Sequence, residues 1–141
     1  MSLNPVMLVV RFLLELVAMA SFGVFGWRAF EGPWKFLLVV ALPLVAAALW
    51  AVFSVPGDPS RDGQPKVAVS GSTRLVIELS VLGGGALALQ SAGLRGWGLA
   101  LAVLVIVYHV LAYDRVVWLL TRDRGGNRTG TLSTRDPGRR P

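Results

Sequence analysis

Apolar side chains fall in four long runs, Pro5 to Trp27, Trp34 to Phe53, Thr73 to Ala92 and Gly96 to Leu120, separated by short polar segments. Each run is close to the length of helix that crosses a hydrocarbon core of about 30 Å at about 1.5 Å per residue. None shows the alternating stretches of about ten residues that mark barrel strands. The pattern predicts an all-α, polytopic membrane protein of four transmembrane helices within residues 1–120, with spans at about 5–27, 34–53, 73–92 and 96–120. Residues 28–33 and 93–95 read as tight turns. Ser54 to Ser72, with Pro56, Gly57, Asp58, Pro59, Asp62, Gly63 and Pro65, reads as one longer loop. Helices 1 and 2 then form one hairpin, and helices 3 and 4 another.

Composition agrees with this reading and narrows the chemistry. The chain has 141 residues, 54% of them hydrophobic and 16% charged, and a mean hydropathy of +0.61, which is too apolar for an ordinary soluble enzyme. The absence of cysteine excludes disulfide frameworks and thiolate metal sites, and a single histidine argues against a zinc or iron centre. No metal and no cofactor is expected. Ala18-Met19-Ala20 imitates a signal-peptide cleavage site. However, no Lys or Arg precedes the first run and Arg11 and Glu15 interrupt it, so helix 1 reads as a retained span.

The net charge of +6 would suggest nucleic acid in a soluble chain, and its distribution points elsewhere. With four spans, the termini and the 54–72 loop share one side, which holds Arg61, Lys66, Arg74, Arg115, Arg122, Arg124, Arg128, Arg135, Arg139 and Arg140. The other side holds Arg28, Lys35 and Arg95. The positive-inside rule then puts both termini in the cytoplasm. Residues 121–141 carry six arginines among Gly, Thr, Ser, Asn and Pro and cannot build a core, so a disordered cytoplasmic tail is expected there. It would be drawn to anionic lipid at about 1 kcal/mol per basic residue near the surface. Nucleic-acid binding would need aromatic interleaving that the tail lacks, and no nucleic-acid partner is expected.

Shifting the chain by 63 residues superposes Arg11 on Arg74, Glu15 on Glu78, Leu16 on Leu79, Trp34 on Trp97, Leu38 on Leu101 and Val40 on Val103. Two rare charged residues and a tryptophan in one register predict an internal repeat. The fold is then two parallel-repeat helical hairpins related by an axis along the membrane normal, with helices 1 and 3 in equivalent places. Arg11-Phe12-Leu13-Leu14-Glu15-Leu16 opening helix 1, Gly26-Trp27 at its exit, Leu42-Pro43-Leu44 with Trp50 in helix 2, and Arg74 with Glu78-Leu79 opening helix 3 resemble the YrdB-like family of small bacterial membrane proteins. The resemblance covers residues 8 to about 120. It implies a four-helix bacterial inner-membrane protein and supplies no reaction, and the arginine-rich tail lies outside it.

Arg11, Glu15, Arg74 and Glu78 are the strongest candidates for chemistry. An ionisable side chain inside a membrane helix costs about 2.5–3.5 kcal/mol on insertion scales, so such groups are usually paired and inward-facing. Arg and Glu four apart share a helical face, which permits a pair within each helix. The repeat also offers Arg11 to Glu78 and Arg74 to Glu15 across the axis, a neutral four-charge cluster in the cytoplasmic third of the bundle. Such a cluster is either a clamp that fixes helix register or a proton or cation site.

His109 stands one turn before Tyr113 and Asp114, either as a proton relay oriented by them or as a helix-to-helix hydrogen bond. Ser80, Gly84, Ala88 and Ala92 form a small-residue stripe on helix 3 for close helix packing, within the chain or across a homodimer. Counting 100° per residue, that stripe lies about 120° or more from Glu78, which gives helix 3 two interfaces. Pro43 should kink helix 2. Trp27, Trp34 and Trp97 at outer ends, and Trp50 and Trp118 at inner ends, read as interfacial anchors.

No nucleophile stands with a second basic group, and no pair of acids flanks a cleft, so no catalytic residues and no enzyme are expected. The sequence therefore reads as a structural or accessory membrane unit with an intramembrane Arg/Glu cluster. The alternative is a small proton- or cation-linked transporter or channel using Glu15 and Glu78. Its expected partners are the lipid bilayer and either a second copy or another membrane subunit.

Overall fold

The computed structural model describes residues 3–58 and 66–126. The molecule is all-helical apart from two two-residue strands: α1 Pro5–Ala29, α2 Trp34–Val52, β1 Phe53–Ser54, β2 Val67–Ala68, α3 Gly71–Ser91, α4 Arg95–Leu111 and α5 Tyr113–Gly126. Local chemistry fixes the helix ends. Asn4 caps α1 by accepting from the Val6 amide at 3.0 Å, and Pro5 occupies the first turn, where its missing N–H costs nothing. Ser70 caps α3 by accepting from the Thr73 amide at 3.1 Å. At the other end of α3, Gly93 at φ +83° lets its own amide reach the Gln90 carbonyl while the Leu94 amide reaches Leu89, a Schellman closure that turns the chain directly into α4.

Three helices, α1, α2 and α3, are each long and apolar enough to cross a membrane. The fourth run is not one helix. It breaks at Ala112 and α5 leaves α4 at 69°, which corrects the continuous span expected over 96–120. Asp114 falls in the first turn of α5, where a carboxylate meets the positive end of a new helix dipole. Bending there turns Arg115 and Leu119 inward, and both are buried. Helix α5 continues to Gly126, so it enters the segment expected to be disordered; residues 127–141 lie outside the described residues. Within the long loop, β1 and β2 pair in parallel, Phe53 with Val67 and Ser54 with Ala68, which ties the two ends of the loop together.

Helices α1 and α3 lie against one another at the centre, with α2 packed on α1 and α4 on α3. The core is built by Leu14 and Ala18 of α1, Leu82, Ala86 and Leu89 of α3, and Leu101, Val105 and Tyr108 of α4. Helix α2 fully buries only Ala46; Leu38, Val39 and Pro43 are half-buried where they meet Gly23 and Gly26 of α1, and its other face is exposed. Backbones approach most closely at glycines. A side chain at Gly26 would meet the Leu38 backbone at 2.8 Å, and one at Gly85 would meet the Cα of Ala18 at 2.7 Å. The expected stripe of Ser80, Gly84, Ala88 and Ala92 is therefore not one close-packed seam. Ala88 and Ala92 are buried, Gly84 faces the Phe22 ring and Ser80 is exposed, while the tight α1–α3 backbone contact belongs to Gly85.

Candidate functional site

Five elements deliver charge to one buried place. Helix α1 presents Arg11 and Glu15 one turn apart, α3 presents Arg74 and Glu78 in the same way, and α5 turns Arg115 inward. The turn after β1 adds Asp58, and α4 adds His109. Arg74 is 0% exposed and Glu78 1%, in the most enclosed part of the molecule. Burying unpaired charge costs several kcal/mol per ion even after relaxation, so the arrangement stands or falls on its pairing.

The pairing is dense. Arg11 Nε lies 2.9 Å from Glu15 Oε1, and Arg11 Nη2 lies 3.2 Å from Glu78 Oε2, linking α1 to α3. Arg115 grips Asp58 as a two-pronged fork, Nη1 to Oδ1 at 3.0 Å and Nη2 to Oδ2 at 3.1 Å, and its Nη2 stands 3.4 Å from Glu78 Oε2. Forked guanidinium–carboxylate pairs are the strong and geometrically specific kind. Arg74 Nη1 donates to the carbonyls of Trp50 at 2.6 Å and Phe53, at the end of α2, where the helix dipole favours a cation. The Trp50 indole lies beneath the arginines of α1 and α3, 4.7 Å from the Arg74 guanidinium carbon and 5.6 Å from that of Arg11. Three guanidiniums meet three carboxylates, so with His109 neutral the network carries no net formal charge.

Glu78 Oε1 faces His109 Nε2 at 3.8 Å, while His109 Nδ1 bonds the Val105 carbonyl at 2.8 Å. The structure thus sets His109 against Glu78. Tyr113 is 64% exposed on the outside of α5, and Asp114 is half-buried at the start of that helix. Trp27, Trp34 and Trp97 are exposed, and Lys35 Nζ stands 4.4 Å over the Trp27 ring. Trp118 is half-buried. Trp50, read from sequence as an interfacial anchor, is instead the platform of the charge network.

Asp58 and Arg115 were not singled out by sequence. Asp58 sits in a Pro56-Gly57-Asp58-Pro59 turn that reads as solvated loop, and Arg115 stands where a span end carries topological charge by default. One signal was present: Tyr108, Ala112, Arg115 and Leu119 follow helical spacing, which puts Arg115 in phase with buried positions. Among the described residues, no group of three His, Cys, Asp or Glu side chains is arranged to hold a metal ion. An outer groove of about 610 Å³ between α1 and α4 is walled almost wholly by apolar side chains, and one of about 330 Å³ beside α5 takes in His109 and Tyr113 among apolar side chains; neither is lined by Glu15 or Glu78.

Residues 9–106 match the family model described as protein of unknown function (DUF2568), a stretch that includes both Arg-x-x-x-Glu segments. The chain is 40% identical over 121 residues to the uncharacterized protein YrdB of Bacillus subtilis (strain 168), an alignment covering 86% of this chain and 98% of that protein. No solved structure matches. On both grounds this chain belongs to the DUF2568 family, the family of YrdB.

Proposed function

We propose that the chain is a four-span protein of a bacterial inner membrane, with both termini cytoplasmic, and that it acts as a structural or accessory unit rather than an enzyme. The observation that carries this reading is Glu78, held by guanidiniums from α1 and α5 while α5 itself is forked onto Asp58. Such a network clamps two hairpins and a loop at one end of the bundle. In a membrane, where lipid is as apolar as the helices, polar contacts and close packing supply the specificity that the hydrophobic effect gives in water. Helix α4, at 17 residues, reaches about 25 Å and serves as the fourth span, while α5 runs along the cytoplasmic surface. The row α2–α1–α3–α4 suits a duplicated hairpin with its axis between α1 and α3. The copies have since diverged in use: Arg11 reaches across to Glu78, and Arg74 ties down the end of α2. The bilayer is the first partner, and an exposed apolar perimeter leaves room for a second copy or another membrane subunit.

The second reading is a small proton- or cation-linked transporter using Glu15 and Glu78, and the approach of His109 to Glu78 favours it. Purified protein in liposomes separates the two. The clamp predicts that Glu15→Gln and Glu78→Gln lower the folded yield and that neither the wild type nor the variants conduct protons or alkali cations above protein-free vesicles. Flux that these substitutions abolish while folding stays intact would install the transporter in its place.

A further inference from the structure

The charge network contains a polar contact in which no guanidinium takes part. His109 Nε2 is buried, has no hydrogen-bond partner among the described residues, and points at Glu78 Oε1 from 3.8 Å. The other ring nitrogen settles what Nε2 can be. A backbone carbonyl only accepts, so the 2.8 Å bond to Val105 requires the hydrogen on Nδ1. The neutral ring therefore presents a bare lone pair at Nε2, directed at a carboxylate oxygen that also has only lone pairs to offer. Two acceptors facing one another in a buried site are a vacancy for a proton.

We propose that His109 and Glu78 form a single-proton binding site at the centre of the charge network. An N–H bond forms from the Nε2 lone pair to a proton taken from a hydronium ion, which leaves as water. The imidazolium then donates to Glu78 Oε1, and the gap closes from 3.8 Å to hydrogen-bond length. The groups around the pair decide the consequence. Arg11 of α1 and Arg115 of α5 hold Oε2 of the same carboxylate, Glu15 holds Arg11, Asp58 holds Arg115, and Arg74 lies one turn before Glu78. Tyr108 sets its ring edge to face against His109 at 5.3 Å, and its buried hydroxyl has no hydrogen-bond partner among the described residues. Tyr113 and Asp114 lie at the start of α5, beyond the end of α4. Since the network is otherwise neutral, a bound proton adds one positive charge at Oε1 of the carboxylate whose Oε2 already holds Arg11 and Arg115. The guanidinium holding α5 is thus coupled to the proton. This requires no passage across the membrane, and it stands whether or not the chain conducts protons.

His109 is the sole histidine and Glu78 one of three glutamates, so nuclear magnetic resonance of the full chain in lipid bilayers, with nitrogen-15 histidine and carboxyl-carbon-13 glutamate, needs no assignment of the ring. The neutral ring is expected to carry its hydrogen on Nδ1. Acidification should add one proton at Nε2 and strengthen the dipolar contact between Nε2 and a glutamate carboxyl carbon. Glu78→Gln should leave the Nδ1 hydrogen in place, shift the Nε2–H resonance and abolish the carboxyl contact. A neutral ring protonated on Nε2, an Nε2–H resonance unmoved by Glu78→Gln, or a carboxyl contact that weakens on acidification would overturn the site. The wild-type measurement decides alone if Glu78→Gln does not fold. Loss of yield in that variant bears on the clamp and leaves the proton reading to the wild-type spectra.

Discussion

Arg115 and Asp58 form the tightest two-pronged contact in the site, and each is nearly free of solvent. Buried ion pairs behave asymmetrically. Their net contribution against an apolar pair of similar volume is small, whereas removing one partner strands a charge and costs about 3–5 kcal/mol. Arg115→Ala should therefore lower stability by about that amount, chiefly by taking the fork from the buried Asp58, because Glu78 keeps Arg11. The double substitution Arg115→Met/Asp58→Leu should recover most of the loss. Unfolding by denaturing detergent, followed by helix signal, checks both. Equal destabilisation by the single and double variants would mean that the fork supplies something an apolar pair cannot. Arg11, Glu15, Arg74 and Glu78 were legible because a charge inside an apolar run has no default explanation. Asp58 and Arg115 were not, because a charge in a Pro-Gly turn or at the end of a run has a ready one, solvation or topology, and only folding brings the two together.

At the level of elements, the four apolar runs gave α1, α2 and α3 to within two residues at each end, since caps and turn glycines coincide with the ends of the runs. The break at Ala112 was not legible. Tyr108, Ala112, Arg115 and Leu119 keep the spacing of one uninterrupted helical face across it, so the buried pattern contains no interruption to detect. The β1–β2 pair was hidden for a simpler reason, as two residues carry no period. The expected packing stripe includes the buried Ala88 and Ala92 but not Gly85, the closest approach to α1, because small residues are so frequent in α3 that spacing alone does not say which of them meets another backbone. The glycine triplet tests this directly. A methyl group at Gly83 would meet nothing within 4 Å, whereas one at Gly85 would meet Ala18 backbone and side chain at 2.7–3.0 Å. Gly83→Ala should be neutral or stabilising by about 0.5–1 kcal/mol through helix propensity. Gly85→Ala should destabilise by about 1–3 kcal/mol by forcing α1 and α3 apart. The same detergent titration checks the pair, and a reversed order would mean that the α1–α3 seam lies elsewhere on α3.

At the scale of the whole molecule, the buried network changes the evidence for orientation. Arg74, bonded to backbone carbonyls, and Arg115, paired with carboxylates, are buried inside the bundle, so they drop out of the tally of loop charge that the positive-inside rule uses. Eight Lys and Arg then remain on the side of the termini and the long loop, against Arg28, Lys35 and Arg95 on the other, and the bias still favours cytoplasmic termini. The bend between α4 and α5 raises a separate question, because three helices qualify as spans alone and the fourth crossing rests on α4. The chain contains no cysteine, so single cysteines answer both questions with a membrane-impermeant maleimide. Glu31→Cys reports the α1–α2 turn, Gly96→Cys the start of α4, where an added side chain meets nothing within 4 Å, and Ser133→Cys the tail. Four spans with cytoplasmic termini predict that Glu31→Cys and Gly96→Cys label in intact cells and that Ser133→Cys labels only after lysis. Labelling of Ser133→Cys alone in intact cells would invert the protein. Labelling of all three would make α4 and α5 a bent element that enters and leaves on one face, and would take the arginines of the tail away from the anionic cytoplasmic leaflet that their charge is best suited to meet.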